Sequence, residues 1–261
     1  MSAWPALPRR GDLLLGASLC GIALLAWTYT IYEARRTIAT GVCECMRMKM
    51  SGPELSSWPT TTLLPLFLMW AVMMIAMMLP SALRMILTFA AVAHNRQKLG
   101  RPFVPTSIFI LGYIAVWSAF SLLAAVGQWV LHRHALLSAA MASTSAWLGG
   151  TPLLGAGIFQ FTPLKQACLT HCRGPLEFIM TRWREGHSGA FRMGLEHGVF
   201  CTGCCWALMA LLFVAGVMNI LWIAVLTLLV CLEKILPARA RISFAAGLLL
   251  CGWGAFILFR P

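Results

Sequence analysis

The sequence predicts an all-α, polytopic helical membrane protein with about seven transmembrane helices and its N-terminus inside, and three observations carry that prediction. Of the 261 residues, 60% are hydrophobic and 11% charged, where a soluble domain carries about 25% charged residues. The mean hydropathy is +0.80. Near-continuous apolar runs of about 20 residues, the length that crosses a bilayer, recur along the chain. A water-soluble globular enzyme is excluded on composition, and no catalytic residues are assigned.

The first span is read at residues 13–32, behind Arg9 and Arg10; no small-residue cleavage site follows Tyr29, so it is a retained helix rather than a signal peptide. The second is read at 63–83. Its apolar run continues to Ala93, but Pro80 is expected to kink or stop the helix and Arg84 to snorkel to the interface. The third covers 106–131, and an apolar stretch at 135–147 in the following loop either lies in the interface or re-enters the membrane. The fourth is read at 151–172. The fifth and sixth, 193–214 and 220–236, come from one apolar run at 199–232, which as a single helix would measure about 50 Å against a hydrocarbon core of about 30 Å. Gly216 and Asn219 supply the break. The seventh covers 242–259. Without repeats or a linker long enough to divide the chain, residues 1–261 read as one integral membrane domain.

The net charge of +12 then becomes an orientation signal. With the N-terminus inside, Arg9, Arg10, Arg96, Lys98, Arg101, Arg173, Arg182, Arg184, Arg192, Lys234, Arg239 and Arg241 fall inside. Only Arg35, Arg36, Arg47, Lys49, Arg133 and Arg260 fall outside. Basic residues concentrate on the cytoplasmic side of membrane proteins, so the expected partner of this charge is the lipid bilayer, with no nucleic acid. The localisation expected is the bacterial inner (plasma) membrane.

What composition leaves unexplained is sulfur, with 10 Cys and 15 Met. At about 100° per residue, Lys165, Cys168, His171 and Cys172 share one face of the fourth span, in its cytoplasmic half. His197, Cys201, Cys204 and Cys205 share one face of the fifth at similar depth. Thiolate and imidazole from two neighbouring helices make a soft-metal site, and positive charge nearby favours thiolate, which Lys165 and Arg173 are placed to supply. The candidate ligands are Cys168, Cys172, His197, Cys201, Cys204 and Cys205, with His171 at the headgroup boundary as an accessory. The packing alternative treats these cysteines as small apolar residues beside Gly194, Gly198 and Gly203, which let helices approach closely.

In the second span Met69, Met73 and Met77 recur at steps of four and give a thioether ladder able to pass Cu(I), or else flexible core filler. The first outer loop holds Cys43, Cys45, Met46, Met48 and Met50, a soft-metal acceptor or a disulfide on an oxidising face. Cys20, Cys231 and Cys251 sit singly and read as packing. Glu233 and Lys234 read as an interface ion pair.

Several long segments resemble a bacterial family of integral membrane proteins predicted to bind metal. They are residues 69–80 (MWAVMMIAMMLP), 160–173 (QFTPLKQACLTHCR), 194–209 (GLEHGVFCTGCCWALM), 216–219 (GVMN) and the Glu233-Lys234 pair. The pattern departs at Phe159, where the family often has Tyr, and at Ile223, where it often has Met; neither is a proposed ligand. The resemblance implies metal binding and strengthens class and site more than mechanism.

The reading that follows is binding, transfer or transport of a transition metal ion through an intramembrane Cys/His site with a Met-lined approach. The metal expected is Cu(I), with Zn and Fe open, and a metallochaperone or other membrane subunits are expected as partners. Two alternatives stand beside it. One is a membrane thiol-disulfide oxidoreductase using Cys201 and Cys204; the other is a structural or assembly subunit whose cysteines only pack. A primary pump is disfavoured, since the chain has no phosphate-binding Gly-x-x-x-x-Gly-Lys motif and no room for a nucleotide domain.

Overall fold

Apolar runs of this length satisfy their backbone groups internally only as helices or closed barrels, and helices are what form. The computed structural model describes residues 10–51, 60–102, 104–133, 146–236 and 239–259; of these, the side chains of residues 10, 12, 38, 40–51, 60, 148, 239 and 240 fall outside the description. The longer helices are α1 (Arg10–Ser51), α2 (Leu63–Lys98), α3 (Thr106–Arg133), α7 (Gly186–Ala210) and α10 (Arg239–Phe259). Shorter ones are α4 (Ala146–Gln160), α5 (Pro163–Arg173), α6 (Pro175–Arg182), α8 (Leu212–Ala215) and α9 (Ile220–Ile235). No strand occurs among the described residues.

Among the described residues, five segments are long and apolar enough to cross a membrane: Leu13–Thr37, Leu63–Lys98, Thr106–Arg133, Gly186–Ala215 and Arg241–Phe259. The sequence suggested seven. The two others differ in length and continuity. The fourth expected span is divided between α4 and α5, because Thr162 caps α5 by accepting from Lys165 N at 3.3 Å and Pro163 occupies the first turn. The sixth is α9, whose 16 residues rise about 24 Å at 1.5 Å per residue.

Two boundaries also move. Helix α1 runs to Ser51, through the segment read as an outer loop. Its residues favour helix up to the first strong breaker, Gly52-Pro53. Cys43 and Cys45 therefore lie along α1, and their side chains are outside the described residues. Helix α2 continues through Pro80 to Lys98. An interior proline costs about 3 kcal/mol, but burial of Met77, Met78, Leu79, Ala82, Met85 and Ile86 on both sides of it offsets that with packing. Most of the expected interfacial stretch, residues 135–145, is outside the described residues; Ala146 and Trp147 begin α4. The expected break after α7 is present: Gly216 takes φ +99°, a left-handed conformation that favours glycine, and the Asn219 side chain caps α9 by accepting from Trp222 N at 3.2 Å.

Helix pairing follows the small residues. Helices α3 and α7 pack closely, as do α4 and α10, α1 and α2, and α2 and α3. At the α3–α7 contact a Cβ on Gly112 would lie 2.3 Å from Phe191 O, and one on Gly194 would lie 2.1 Å from Phe109 O. Only glycine permits that backbone approach. The contact holds α7 against α3, while α5 packs on α7 and α9 packs on α2, α5 and α7. Five helices thus meet around the middle of α7.

Candidate metal centre

On α7, positions 197, 201, 204 and 205 recur at i, i+4, i+7 and i+8, the spacing of a single helical face. That face is inside the molecule: Cys201, Cys204, Cys205 and His197 are all buried. The Cys204 and Cys205 thiols both donate to Cys201 O, each at 3.0 Å. This back-bonding holds them close to the Cys201 sulfur.

Four neighbouring helices contribute to the surroundings of this face. From α9, Lys234 Nζ donates to Cys201 Sγ at 2.9 Å and to Ser81 Oγ at 3.1 Å. From α3, the Tyr113 hydroxyl lies 3.3 Å from the same Cys201 sulfur and 3.5 Å from Met78 O. From α2, Met78 Sδ lies 3.9 Å from Cys205 Sγ. From α5, Cys172 is within side-chain hydrogen-bonding reach of Cys201 and Cys204. The result is a group of four thiols, with Cys201, Cys204 and Cys205 buried and Cys172 half-buried, and a thioether, with one ammonium group against the Cys201 sulfur.

Cys172, Cys201, Cys204 and Cys205 are therefore brought together as the helical faces suggested. Cys168 is half-buried at the rim, packed on Gly203, where an added Cβ would meet its Sγ at 2.9 Å. His197 shares the face but is held by rings, stacked on Tyr113 at 5.6 Å and Phe109 at 6.1 Å with Phe178 edge-on at 5.8 Å. Its Nδ1 is buried with no hydrogen-bond partner. His171 turns elsewhere: its ring stacks on Phe200 at 4.3 Å, and its Nδ1 lies 2.9 Å from Ala167 O.

The charges are assigned differently from the sequence reading. Lys165 is not at the thiols. It is fully buried and donates to both Glu233 oxygens, at 2.7 and 2.8 Å, and to Gln160 Oε1. Ser243 completes the arrangement by donating to Glu233 Oε1 at 2.9 Å. Arg173 is likewise committed, donating to Lys234 O at 3.3 Å and to Leu236 O, the open carbonyls at the end of α9. Glu233 and Lys234 are not an interface pair: both are buried, and they serve different partners. Among the methionines, Met73 and Met77 are core residues and Met69 is half-buried, while the sulfur recorded against the cluster is that of Met78.

Among the described residues no group of three or more His, Cys, Asp or Glu is arranged as it stands to hold a metal ion. The thiols instead face a carbonyl, a thioether, a phenol and an ammonium. The donor set is nevertheless entirely soft, which suits Cu(I) and disfavours the oxygen-seeking cations.

Sequence reasoning missed Lys234, Tyr113, Ser81 and Met78. For Lys234 a signal existed: consecutive helical residues do not face each other, so Glu233 and Lys234 had to seek separate partners.

No curated protein and no solved structure matches the chain. A family model described as PpoB2, copper chaperone, matches residues 67–257, which include every member of the thiol cluster. That match covers well over half of the 261 residues, and the chain belongs to this copper-chaperone family.

Proposed function

We propose that this protein is an integral membrane copper chaperone that carries Cu(I) on the thiols of Cys172, Cys201, Cys204 and Cys205 and passes it on by ligand exchange. Cys168 stands at the rim as the exchange partner nearest the surface, and His197 is held in reserve as a nitrogen donor. The observation that carries the reading is the 2.9 Å contact of Lys234 Nζ with Cys201 Sγ inside a buried group of thiols. A Cu(I) ion bound by two thiolates has a net charge of −1, and an isolated charge is costly away from water. The Lys234 ammonium makes the loaded site neutral. The same ammonium, beside Cys201 in the unloaded protein, supplies the charge a reactive thiolate needs.

Membrane integration is supported by what the helices expose. Leu14, Leu25, Leu123, Leu221 and Leu249 are each more than 70% exposed, on α1, α3, α9 and α10. Bare leucine on several sides of a bundle suits lipid rather than water. With the N-terminus inside a bacterial inner membrane, the cluster lies toward the cytoplasmic face, where a soluble metallochaperone or a neighbouring membrane subunit reaches it.

The test is copper content of the purified protein under reducing conditions. The wild type retains copper, and the variant with Cys172, Cys201, Cys204 and Cys205 all replaced by Ser falls to background. Equal copper in the two proteins overturns the reading; retention of Zn or Fe in place of copper would reassign the cargo.

A further inference from the structure

Beside the thiol cluster lies a cavity of about 70 Å³ between α1, α2 and α3. Its walls are apolar, with Leu19 and Ile22 contributed by α1 and Ile110 and Ile114 by α3. Two thioethers line it, Met74 and Met78, four residues apart and so on one face of α2. Neither is part of the ladder read at Met69, Met73 and Met77. Both are essentially inaccessible from outside, at 0% and 1% exposed. Two aromatic side chains complete the wall, Tyr113 and Trp117, and the buried indole nitrogen of Trp117 has no hydrogen-bond partner.

Two of these residues also belong to the surroundings of the thiols. Met78 Sδ is 3.9 Å from Cys205 Sγ, and the Tyr113 hydroxyl is 3.3 Å from Cys201 Sγ. The cavity and the cluster therefore share a wall one side chain thick.

We propose that Met74 and Met78 form a second, thioether site for Cu(I), a station from which the ion moves to the thiols. Hard cations require several oxygen ligands, and among the side chains of the wall only the Tyr113 hydroxyl carries one; neutral thioethers select Cu(I) and its analogue Ag(I). The aromatic rings of Tyr113 and Trp117 in the wall offer a bare monovalent cation further attraction. With no anion in the cavity wall, the ion is held less tightly than by thiolate, which makes the site one of passage. Movement to the thiols breaks the two copper–thioether bonds and forms two copper–thiolate bonds, one to the Cys201 thiolate beside Lys234 and one to a second cysteine of the cluster, whose thiol proton leaves to water as the bond forms. Copper stays Cu(I) throughout.

The inference rests on the proposed cargo, and its test separates the two. Ag(I) is titrated into the full-length protein in detergent, following tryptophan fluorescence. The variant with Cys172, Cys201, Cys204 and Cys205 replaced by Ser is expected to retain one weaker site. Adding Met74→Leu and Met78→Leu raises its Kd at least tenfold, whereas adding Met73→Leu and Met77→Leu leaves it unchanged. In the protein with its cysteines intact, M74L/M78L slows copper loading at least tenfold with the same final copper content. Residual Ag(I) binding that ignores M74L/M78L, or that falls equally with M73L/M77L, overturns the thioether site and leaves the thiol cluster standing. If the four-Cys variant holds as much copper as wild type, the cluster reading fails and the transfer to the thiols with it, while Met74- and Met78-dependent Ag(I) binding still upholds the thioether site itself.

Discussion

Lys165 and Lys234 are both buried, at 0% and 6% exposed, and they are held in opposite ways. Lys165 is matched by a carboxylate, with Glu233 accepting at 2.7 and 2.8 Å and Ser243 bonding the same carboxylate. Lys234 is held only by softer and neutral groups, the Cys201 sulfur and the Ser81 hydroxyl. A buried charge needs an opposite charge. For Lys165 the Glu233 carboxylate supplies it. For Lys234 the available counter-charge is a thiolate, free or, in the proposed function, bound to copper, so one lysine belongs to the architecture and the other to the proposed cargo site.

The largest effect expected from this division is on stability. Glu233→Ala strands Lys165 in the interior, and removing one partner of a buried pair costs about 3–5 kcal/mol. Thermal unfolding in detergent would show it as a lower midpoint. The double variant Lys165→Met, Glu233→Leu, which removes both charges, should recover most of the loss or exceed wild type. Both variants should bind copper as wild type does per folded molecule. A Glu233→Ala protein of undiminished stability that has lost its copper would break the comparison, placing Lys165 and Glu233 with the cargo.

The second effect is on affinity. Lys234→Met removes the positive charge beside the thiols, and groups that support metal ligands from just behind them are worth about 10–100-fold in affinity. Competition with a Cu(I)-specific chelator would measure the drop, and thermal unfolding should change less than in Glu233→Ala. Lys234→Arg restores the charge and should recover part of the affinity. If Lys234→Met unfolds the protein as readily as Glu233→Ala while leaving affinity unchanged, the two lysines are alike and both structural.

How far each region was legible in the sequence differs for the same physical reason. The α7 face was readable because His197, Cys201, Cys204 and Cys205 are placed by helical periodicity alone, and burial of all four follows it. Cys172 reached the same cluster because α5 retains the register of its last turns. The charges were not placed correctly, because Lys165 was read on an uninterrupted helix. The Thr162-Pro163 pair, a cap residue followed by proline at the first helical position, is a start signal. It divides the expected fourth span between α4 and α5. Met78 was beyond reach in another way. Met74 and Met78 have the same four-residue spacing as Met69, Met73 and Met77, and only the packing of α2 against α3 and α9 decides which register meets the thiols.

The smallest predicted effect isolates a single hydroxyl. Tyr113 touches Cys201 through its OH at 3.3 Å, while its ring lines the neighbouring cavity and stacks on His197 at 5.6 Å. Tyr113→Phe keeps the ring and removes only the hydroxyl contact. A net hydrogen bond is worth about 0.5–1.5 kcal/mol, so copper affinity should fall by about two- to tenfold in the chelator competition. The thioether site, which uses the ring face, should bind Ag(I) as before in the background lacking the four cysteines. A loss of Ag(I) binding there would mean that the hydroxyl oxygen, rather than the aromatic face, serves that site. A loss of copper affinity as large as that of Lys234→Met would mean that the phenol, and not the ammonium, is the main support of the Cys201 sulfur.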